Sequence, residues 1–292
     1  MGMFEGALTA LVTPFRDDKV DEKALRAIVA EQIDGGIDGL VPCGTTGESV
    51  NLSHAEYEKV VQIVVDETRH RVPVIAGAGT ASTRHSIELA QSAKRLGVDG
   101  LLVVVPYYNK PTQEGLYAHY AAIASAVALP LMAYNIPGRS GVDMALSTIE
   151  RLASIPNIVA IKEATGNVLR SSDIVASLAE RFTVLSGDDA LTLPIMAVGG
   201  QGVVSVVSNV APKEVSKLVD LARAGDYAAA RKQHHRLRSL YEAMFVETSP
   251  GPVKAAMAMR GLMSGEIRLP LVGPSEATLS RVRKSLSELG LV

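Results

Sequence analysis

The sequence predicts an α/β fold, a (β/α)8 TIM barrel that carries a C-terminal helical extension. Eight short apolar runs, bounded by Gly, Pro or Asp, alternate with segments of helical period. The sequence Gly36-Ile37-Asp38-Gly39-Leu40 is echoed 61 residues later at 97–101. Two units of an eightfold barrel of about 250 residues predict a spacing of about 62. After residue 224 only helical patterns follow.

The apolar runs are predicted to be parallel strands, because nearly continuous apolarity suits strands that are covered by helices. In chain order they span residues 7–12, 40–41, 74–76, 101–105, 131–134, 158–161, 183–185 and 203–207. Ser53 and Glu56 predict a capping box at the start of a helix, and the glycines of the echo predict helix ends. The rival fold, a doubly wound open sheet, lacks its usual glycine-rich turn after the first strand.

The helical patterns of the C-terminal part lie at residues 227–246, 252–263 and 275–289. We therefore assign residues 1–224 to a catalytic barrel and residues 225–292 to a helical extension. A single barrel of about 250 residues with an extension accounts for the length of the chain.

Composition limits the classes of partner. The 29 Lys and Arg balance 31 Asp and Glu, a net charge of −2, and no long block of one sign predicts nucleic-acid binding. Cys43 is the only cysteine, which excludes an intrachain disulfide framework. The first residues lack the basic start of a signal peptide, and no apolar stretch is long enough to span a membrane. We expect a cytoplasmic protein without nucleic-acid or membrane partners.

Lys162 is the strongest candidate for the chemistry, since it closes the apolar run 158–161. Catalytic groups of a barrel lie at the C-terminal ends of its strands. An amine that is partly desolvated there keeps a larger fraction in the free form, which attacks carbonyl carbons to give a Schiff base. A surface lysine paired with Glu163 is the ordinary alternative.

Polar residues follow the other strands at the same predicted face. They are Thr45 and Thr46 after the second strand, Tyr107 and Tyr108 after the fourth, Tyr134 and Arg139 after the fifth, Asp188 and Asp189 after the seventh, and 205–209 after the eighth. A threonine turn with free backbone N–H groups, or a guanidinium on a stiff Pro-Gly turn, can hold a carboxylate. The ordinary alternatives are a plain turn, interface or core aromatics, and a solvated arginine.

Three further groups receive structural interpretations. Cys43 is expected to be a small buried residue, because no positioned base accompanies it. Asp188 and Asp189 are interpreted as a helix cap rather than as metal ligands. His234 and His235 lack metal-ligand spacing and are assigned to a helix surface.

Six ordered motifs together resemble the dihydrodipicolinate synthases, now named 4-hydroxy-tetrahydrodipicolinate synthases, of the pyruvate-dependent class I aldolase and N-acetylneuraminate lyase superfamily. The resemblance covers nearly the whole chain, including 245–247 and 252–254. The motifs are Gly44-Thr45-Thr46-Gly47-Glu48, Pro106-Tyr107-Tyr108-Asn109, Tyr134-Asn135-Ile136-Pro137-Gly138-Arg139, Ile161-Lys162-Glu163-Ala164-Thr165-Gly166, Ser186-Gly187-Asp188-Asp189 and Gly202-Val203-Val204-Ser205.

The resemblance implies an enzyme in which Lys162 forms an imine with pyruvate, and the enamine then attacks L-aspartate 4-semialdehyde in the diaminopimelate route of lysine biosynthesis. It assigns proton transfer to Tyr134, which would form a relay with Thr45 and with Tyr108 of a neighbouring subunit. It implies that Thr46 and Val204 contact pyruvate and that Arg139 binds the carboxylate of the aldehyde substrate. It implies no cofactor and no metal, and a homotetramer built as a dimer of dimers.

The resemblance is weakest at the site where many relatives bind lysine as a feedback inhibitor. Ser49, His54 and Tyr107 match that site, whereas Tyr57, Ala81 and His85 stand where inhibited relatives are expected to have His, Asn and Glu. A carboxylate for the effector's ammonium group is therefore missing, and we expect weak or no inhibition by lysine.

Three alternative functions remain at this point. Another pyruvate-type lyase, such as an N-acetylneuraminate or keto-deoxy-sugar aldolase, would share Lys162 and Tyr134, but sugar-cleaving relatives typically lack Arg139. A catalytically silent ligand sensor would have little use for a complete proton relay. A phosphosugar barrel that grips phosphate with 199–202 would leave Lys162 and Arg139 unexplained.

Overall fold

The computed structural model describes residues 2–178 and 181–292, and it shows the predicted barrel. Eight parallel strands follow one another in chain order around the barrel; the first pairs with the last, and a bridge between Leu40 and Val74 joins the second and third. The barrel strands are β1 Gly6–Ala10, β4 Gly39–Val41, β5 Ile75–Gly77, β6 Gly100–Val104, β7 Leu131–Asn135, β8 Ile158–Glu163, β9 Thr183–Ser186 and β10 Gly202–Ser205. Two short strands, β2 Phe15–Arg16 and β3 Lys19–Val20, form an antiparallel hairpin outside the barrel.

Helices follow the strands around the outside and continue into the C-terminal part. They are α1 Glu22–Asp34, α2 His54–Thr68, α3 Thr83–Arg95, α4 Gln113–Ala126, α5 Pro137–Ser140, α6 Leu146–Leu152, α7 Val168–Leu178, α8 Thr192–Ala197, α9 Pro212–Arg223, α10 Tyr227–Met244, α11 Gly251–Met259 and α12 Glu276–Glu288. The three predicted C-terminal helices are confirmed as α10, α11 and α12. No helix within the described residues is long and apolar enough to cross a membrane.

The sequence echo has a structural cause. Gly36 and Gly97 both follow a helix end and have positive φ values of 82° and 84°, which glycine adopts without strain. The aspartate of each copy then binds the start of the neighbouring strand. Asp38 accepts a 2.8 Å hydrogen bond from the backbone N–H of Ala7, and Asp99 accepts one of 2.8 Å from Val74. The repeat therefore sets the register at which successive strands enter the barrel.

The hydrophobic core has two parts, and strand alternation separates them. Outward-facing residues of the strands pack against the helices, including those of the C-terminal extension. Inward-facing residues fill the barrel interior, where Met132 and Tyr134 of β7 lie beside Ala160 of β8. Lys162 follows Ala160 by two residues and so faces the same interior. The division of the chain at residues 224 and 225 stays a prediction.

The predicted capping box is confirmed at α2. The Ser53 side chain accepts from the backbone N–H of Glu56, and the Glu56 carboxylate accepts from the backbone N–H of Ser53. Glu56 also binds Arg268, whose guanidinium is the main cause that lowers the pKa of this carboxyl to about 2. The start of α2 is therefore attached to the C-terminal segment of the chain.

Candidate active site

A cavity of about 310 Å³ opens at the C-terminal ends of the barrel strands. Its walls include Thr45, Thr46, Tyr107, Tyr134, Arg139 and Lys162. The expectation of a shared face is therefore confirmed for these six residues. The outer wall comes from the C-terminal part of the chain through Phe245, Ser249, Pro250, Pro270 and Leu271, a contribution that the motifs did not indicate.

Lys162 lies at the floor of this cavity and is only 5% exposed. Its Nζ is 4.3 Å from the centre of the Tyr134 ring, and the two residues are paired in the β7–β8 register. Among the described residues no hydrogen-bond or ion-pair partner meets this amine. Burial lowers the pKa of Lys162 to about 8, and the positive charge of Arg139 adds to the effect while the negative charge of Asp189 opposes it. The surface alternative for Lys162 is wrong.

Glycine at position 187 makes room for the lysine side chain. A Cβ atom there would lie 2.6 Å from the Cβ of Ala164 and 3.1 Å from the Cε of Lys162. Gly187 follows β9, and its backbone N–H donates to the carbonyl of Glu163 at 2.8 Å. The glycine of the Ser186-Gly187-Asp188-Asp189 motif therefore keeps open the path along which the amine reaches the cavity.

Tyr134 is buried beside Lys162, at the end of β7. Burial raises the pKa of its phenol above the ordinary value, and the nearby charge of Arg139 only partly opposes this shift. The phenol therefore stays protonated at neutral pH, so it can donate a proton to a substrate bound next to the Lys162 amine.

The turn 44–49 carries the two threonines. It closes through backbone bonds from Gly47 to Gly44 and from Glu48 to Thr45, both of 3.1 Å. Thr46 is buried and Thr45 is exposed at the cavity wall. The structure brings Thr45 and Tyr134 to the same cavity, but no hydrogen bond joins their side chains among the described residues.

Tyr108 is not among the residues that line the cavity of its own chain. Its side chain is 91% exposed and its backbone has a φ of 71°, in the left-handed region that non-glycine residues seldom adopt. The next residue, Asn109, holds this loop by donating to the carbonyl of Ala81 at 3.0 Å. Tyr107, its neighbour, is the aromatic residue of this loop that lines the cavity.

Val204 and Arg139 occupy different depths of the site. Val204 belongs to the packed barrel interior, and Val206 is the residue after β10 that lines the cavity. Arg139 stands on the short helix α5, which begins at Pro137, and its Nη2 donates to the carbonyl of Ser249 at 3.3 Å. Arg139 therefore provides a cation at the cavity wall, close enough to Lys162 and Tyr134 to shift the pKa of both.

The interpretation of Asp188 and Asp189 as a cap is half correct. Asp188 caps the turn that follows by accepting from the backbone N–H of Ala190 at 2.9 Å. Asp189 is instead buried, where it accepts from the Ser205 hydroxyl and, at 2.9 Å, from the backbone N–H of Val206. Burial raises the pKa of Asp189 to about 6. Asp189 thus ties β9 to β10 and faces Lys162 with a negative charge at neutral pH.

The remaining interpretations concern Cys43 and the two histidines. Cys43 is buried as expected, and burial raises the pKa of its thiol. His235 is exposed, but His234 is half-buried, and burial lowers its pKa. His234 therefore lies only partly on the helix surface. No three His, Cys, Asp or Glu side chains of the described chain lie close enough to hold one metal ion.

Comparisons with known proteins point to one family. The model of the dihydrodipicolinate synthetase family matches residues 3–289. A 4-hydroxy-tetrahydrodipicolinate synthase of Citrifermentans bemidjiense is 52% identical over 290 residues, which cover 99% of this chain and 100% of that protein.

Solved structures agree with the sequence comparisons. The dihydrodipicolinate synthase of Aquifex aeolicus has a TM-score of 0.97 and 46% identity, with 99% of both chains covered. A dihydrodipicolinate synthase of Cyanidioschyzon merolae, solved with lysine bound, has a TM-score of 0.97 and 40% identity, with 100% of both chains covered.

Proposed function

The chain belongs to the dihydrodipicolinate synthetase family, and we propose that Lys162 is the amine with which it performs the 4-hydroxy-tetrahydrodipicolinate synthase reaction. In this reaction the Lys162 amine attacks the keto carbon of pyruvate, and water leaves as the imine forms. Loss of a methyl proton gives the enamine, which attacks the aldehyde carbon of L-aspartate 4-semialdehyde. The observation that carries the proposal is the buried Lys162 amine at the floor of the cavity, which has no hydrogen-bond or ion-pair partner in the described part of the chain and a pKa lowered to about 8.

We propose Tyr134 as the group that moves protons above Lys162. Its ring is 4.3 Å from the amine, and its raised pKa keeps the phenol protonated. Thr45 on the same cavity and the partner subunit's Tyr108 would connect it to solvent. The 91% exposure of Tyr108 supports a role outside its own chain. A homotetramer, a dimer of dimers, would bring this side chain to a neighbouring cavity.

We propose that the two substrates bind at opposite sides of the cavity. The backbone of Thr46 and the end of β10 at Val204 would hold pyruvate next to Lys162. Arg139 would bind the carboxylate of the aldehyde, because a guanidinium offers two parallel donors to a carboxylate. An amine, a proton shuttle and an anion site suffice for this chemistry, so we expect no requirement for a metal or a nicotinamide.

The first experiment measures pyruvate consumption by the purified protein with L-aspartate 4-semialdehyde, beside N-acetylmannosamine and simple aldoses. We expect turnover with the semialdehyde alone. Turnover only with sugars would retain Lys162 as the nucleophile and remove the carboxylate role of Arg139. If no aldehyde supports pyruvate consumption, the result would favour a ligand sensor over an enzyme.

We also propose that lysine inhibits this protein weakly or not at all. Tyr57 is buried, and the side chain of Ala81 offers no polar atom. His85 is occupied by a 3.3 Å contact with Glu88. A lysine titration from the micromolar to the millimolar range should leave the initial rate nearly unchanged, and strong loss of rate would contradict the proposal.

A further inference from the structure

A second lysine is buried beneath the turn 44–49, and the proposed reaction does not use it. Lys254 of α11 is 0% exposed, and its Nζ donates to the carboxylate of Glu48, which is 1% exposed. The same amine donates to the carbonyl of Glu266 at 3.0 Å and lies 4.2 Å from the centre of the Phe15 ring. Two buried charges are tolerated when they are paired and hydrogen-bonded, as these are.

Glu48 collects donors from three separate segments of the chain. One carboxylate oxygen meets Lys254, and the other accepts from the side chain of Asn51 at 3.2 Å and from the backbone N–H of Arg268 at 3.1 Å. The backbone of Glu48 has a φ of 52°, and its N–H donates to the carbonyl of Thr45 at 3.1 Å. The residue that accepts these donors is therefore itself part of the threonine turn.

The same C-terminal segment also meets the other side of the cavity. The carbonyl of Ser249 accepts from Arg139, and the backbone N–H of Lys254 donates to the carbonyl of Pro250 at 3.0 Å. Lys254 therefore stands one helical turn after Pro250, the residue that follows the contact of Ser249 with Arg139. One short stretch of the extension thus spans from the proposed pyruvate side of the cavity to the proposed aldehyde side.

We infer that Glu48 and Lys254 form a positioning pair for the reaction. The pair fixes the turn 44–49 at the geometry in which Thr46 meets pyruvate and Thr45 takes part in the proton relay, so the C-terminal extension sets the catalytic efficiency of the barrel. This inference rests on the proposed function, since it requires pyruvate to bind beside Thr46. Neither charge transfers a proton, because both side chains are turned away from solvent and toward each other.

A purely structural role is the competing explanation, and the chain offers a matched control for it. Arg260, the C-cap of the same helix α11, pairs with Glu31 of α1 at 2.8 Å and donates to the carbonyl of Val210 at 2.8 Å. This second pair also attaches the extension to the barrel, but it makes no hydrogen bond to the turn 44–49 among the described residues. Removal of either pair should loosen the extension, and only one should disturb the turn.

The test compares the full-length double variants Glu48→Gln/Lys254→Met and Glu31→Gln/Arg260→Met. Both replace an ion pair by neutral groups of similar size, which preserves folding better than removal of one partner. The measurements are the midpoint of thermal unfolding, the yield of pyruvate trapped on the protein by borohydride, and the separate kcat and KM values for the two substrates.

We expect the Glu48/Lys254 variant to lose about tenfold or more in kcat/KM for pyruvate, within the roughly hundredfold that a 1 Å misplacement can cause. Its KM for the semialdehyde should change less, and the Glu31/Arg260 variant should keep kcat/KM within about twofold of the wild type at a comparable unfolding midpoint. Equal losses in the two variants, or none in the first, would overturn the positioning role. Wild-type protein that traps no pyruvate would instead overturn the proposed function.

Discussion

Lys162 and Lys254 are both buried, both lie against an aromatic ring, and differ in what meets their amines. Lys162 has the Tyr134 ring at 4.3 Å, and Lys254 has the Phe15 ring at 4.2 Å. Lys254 is bound by the Glu48 carboxylate and a backbone carbonyl, whereas Lys162 has no such partner among the described residues. Burial lowers the pKa of both, but at Lys254 the carboxylate opposes the shift directly.

From this difference we expect that burial alone does not make a lysine a nucleophile. The reactive form is the free amine, so a nearby carboxylate that stabilises the ammonium works against it. At Lys162 the opposing charge comes from Asp189, whose carboxylate already accepts hydrogen bonds from the Ser205 hydroxyl and two backbone N–H groups. We therefore expect Lys162 to be available for chemistry and Lys254 to hold the turn 44–49 in position.

The largest expected effect comes from Lys162→Ala. If Lys162 alone carries the reaction, this variant should lose condensation activity by about 10⁴-fold or more and show no pyruvate adduct after borohydride reduction. Mass spectrometry of the intact protein measures the adduct. Lys284→Ala, at an exposed lysine of α12, is the control that should trap pyruvate normally. An adduct that persists in Lys162→Ala would show that another residue is the nucleophile, and the proposed difference between Lys162 and Lys254 would then be wrong.

Stability should respond in opposite directions at the two lysines. Lys254→Met leaves the Glu48 carboxylate buried without its counterion and should lower the free energy of unfolding by about 3–5 kcal/mol. Lys162→Met removes an amine whose pKa falls from 10.5 to about 8 on folding. That difference of about 2.5 pKa units destabilises the folded state by about 3 kcal/mol at pH 7, so the variant should be more stable by up to that amount.

Urea unfolding at pH 7 measures both changes, and Lys284→Met should alter the free energy of unfolding by no more than about 0.5 kcal/mol. The direction of the pH dependence follows from the difference in the pKa of Lys162 between the folded and unfolded states. Since the folded-state pKa of Lys162 is the lower one, its destabilising effect is complete below pH 8 and disappears as pH rises from about 8 to 10.5. Destabilisation by both methionine variants would show that the two sites are alike.

Arg139→Ala should sharpen the comparison by removing the cation beside Lys162. Loss of a charged hydrogen bond to the aldehyde carboxylate costs about 1.5–3 kcal/mol, so kcat/KM for the semialdehyde should fall by roughly 10- to 150-fold. Pyruvate trapping should persist, since the Lys162 amine remains. Separate titrations of pyruvate and of the semialdehyde measure the effect of the variant on each substrate. Trapping that is lost while use of the aldehyde is retained would reverse the assignment of Arg139.

Much of the barrel and its reactive face could be predicted from the sequence, because both depend on local patterns. Apolar runs mark the strands, and a polar residue that ends such a run must lie at the rim of the barrel. Lys162 stands two residues after the inward-facing Ala160, so its position follows from the period of a strand. The roles of Thr45, Tyr108, Val204 and Arg139 came from resemblance and stay predictions.

The second lysine could not be recognised in this way. Lys254 lies in a helix, where a lysine is ordinary, and its partner Glu48 is 206 residues away in the chain. The cap interpretation of Asp189 is wrong for a similar reason, since a pair of aspartates after a strand resembles a cap, and only the folded chain brings the backbone N–H of Val206 to the second one. Contacts of this kind depend on tertiary packing, which local patterns do not encode.

The smallest expected effect is the pH dependence of imine formation with pyruvate. It tests whether Lys162 is available as a free amine, which is the property proposed to distinguish it from Lys254. The kcat/KM for pyruvate reports the pKa values of the free protein. It should rise about tenfold per pH unit up to about 8 and level off above, since the free amine is the reactive form. Asp189 has a pKa of about 6, so the measurements are taken between pH 7 and 9, where the lysine is the main group of the pair that changes its charge. Arg139→Ala should move the midpoint upward, because the cation that disfavours ammonium is gone, and Glu48→Gln/Lys254→Met should leave it in place. A wild-type midpoint near pH 10.5 would show that Lys162 has the pKa of an ordinary amine. A midpoint that shifts only in the Glu48/Lys254 variant would show that the reactive amine is not Lys162.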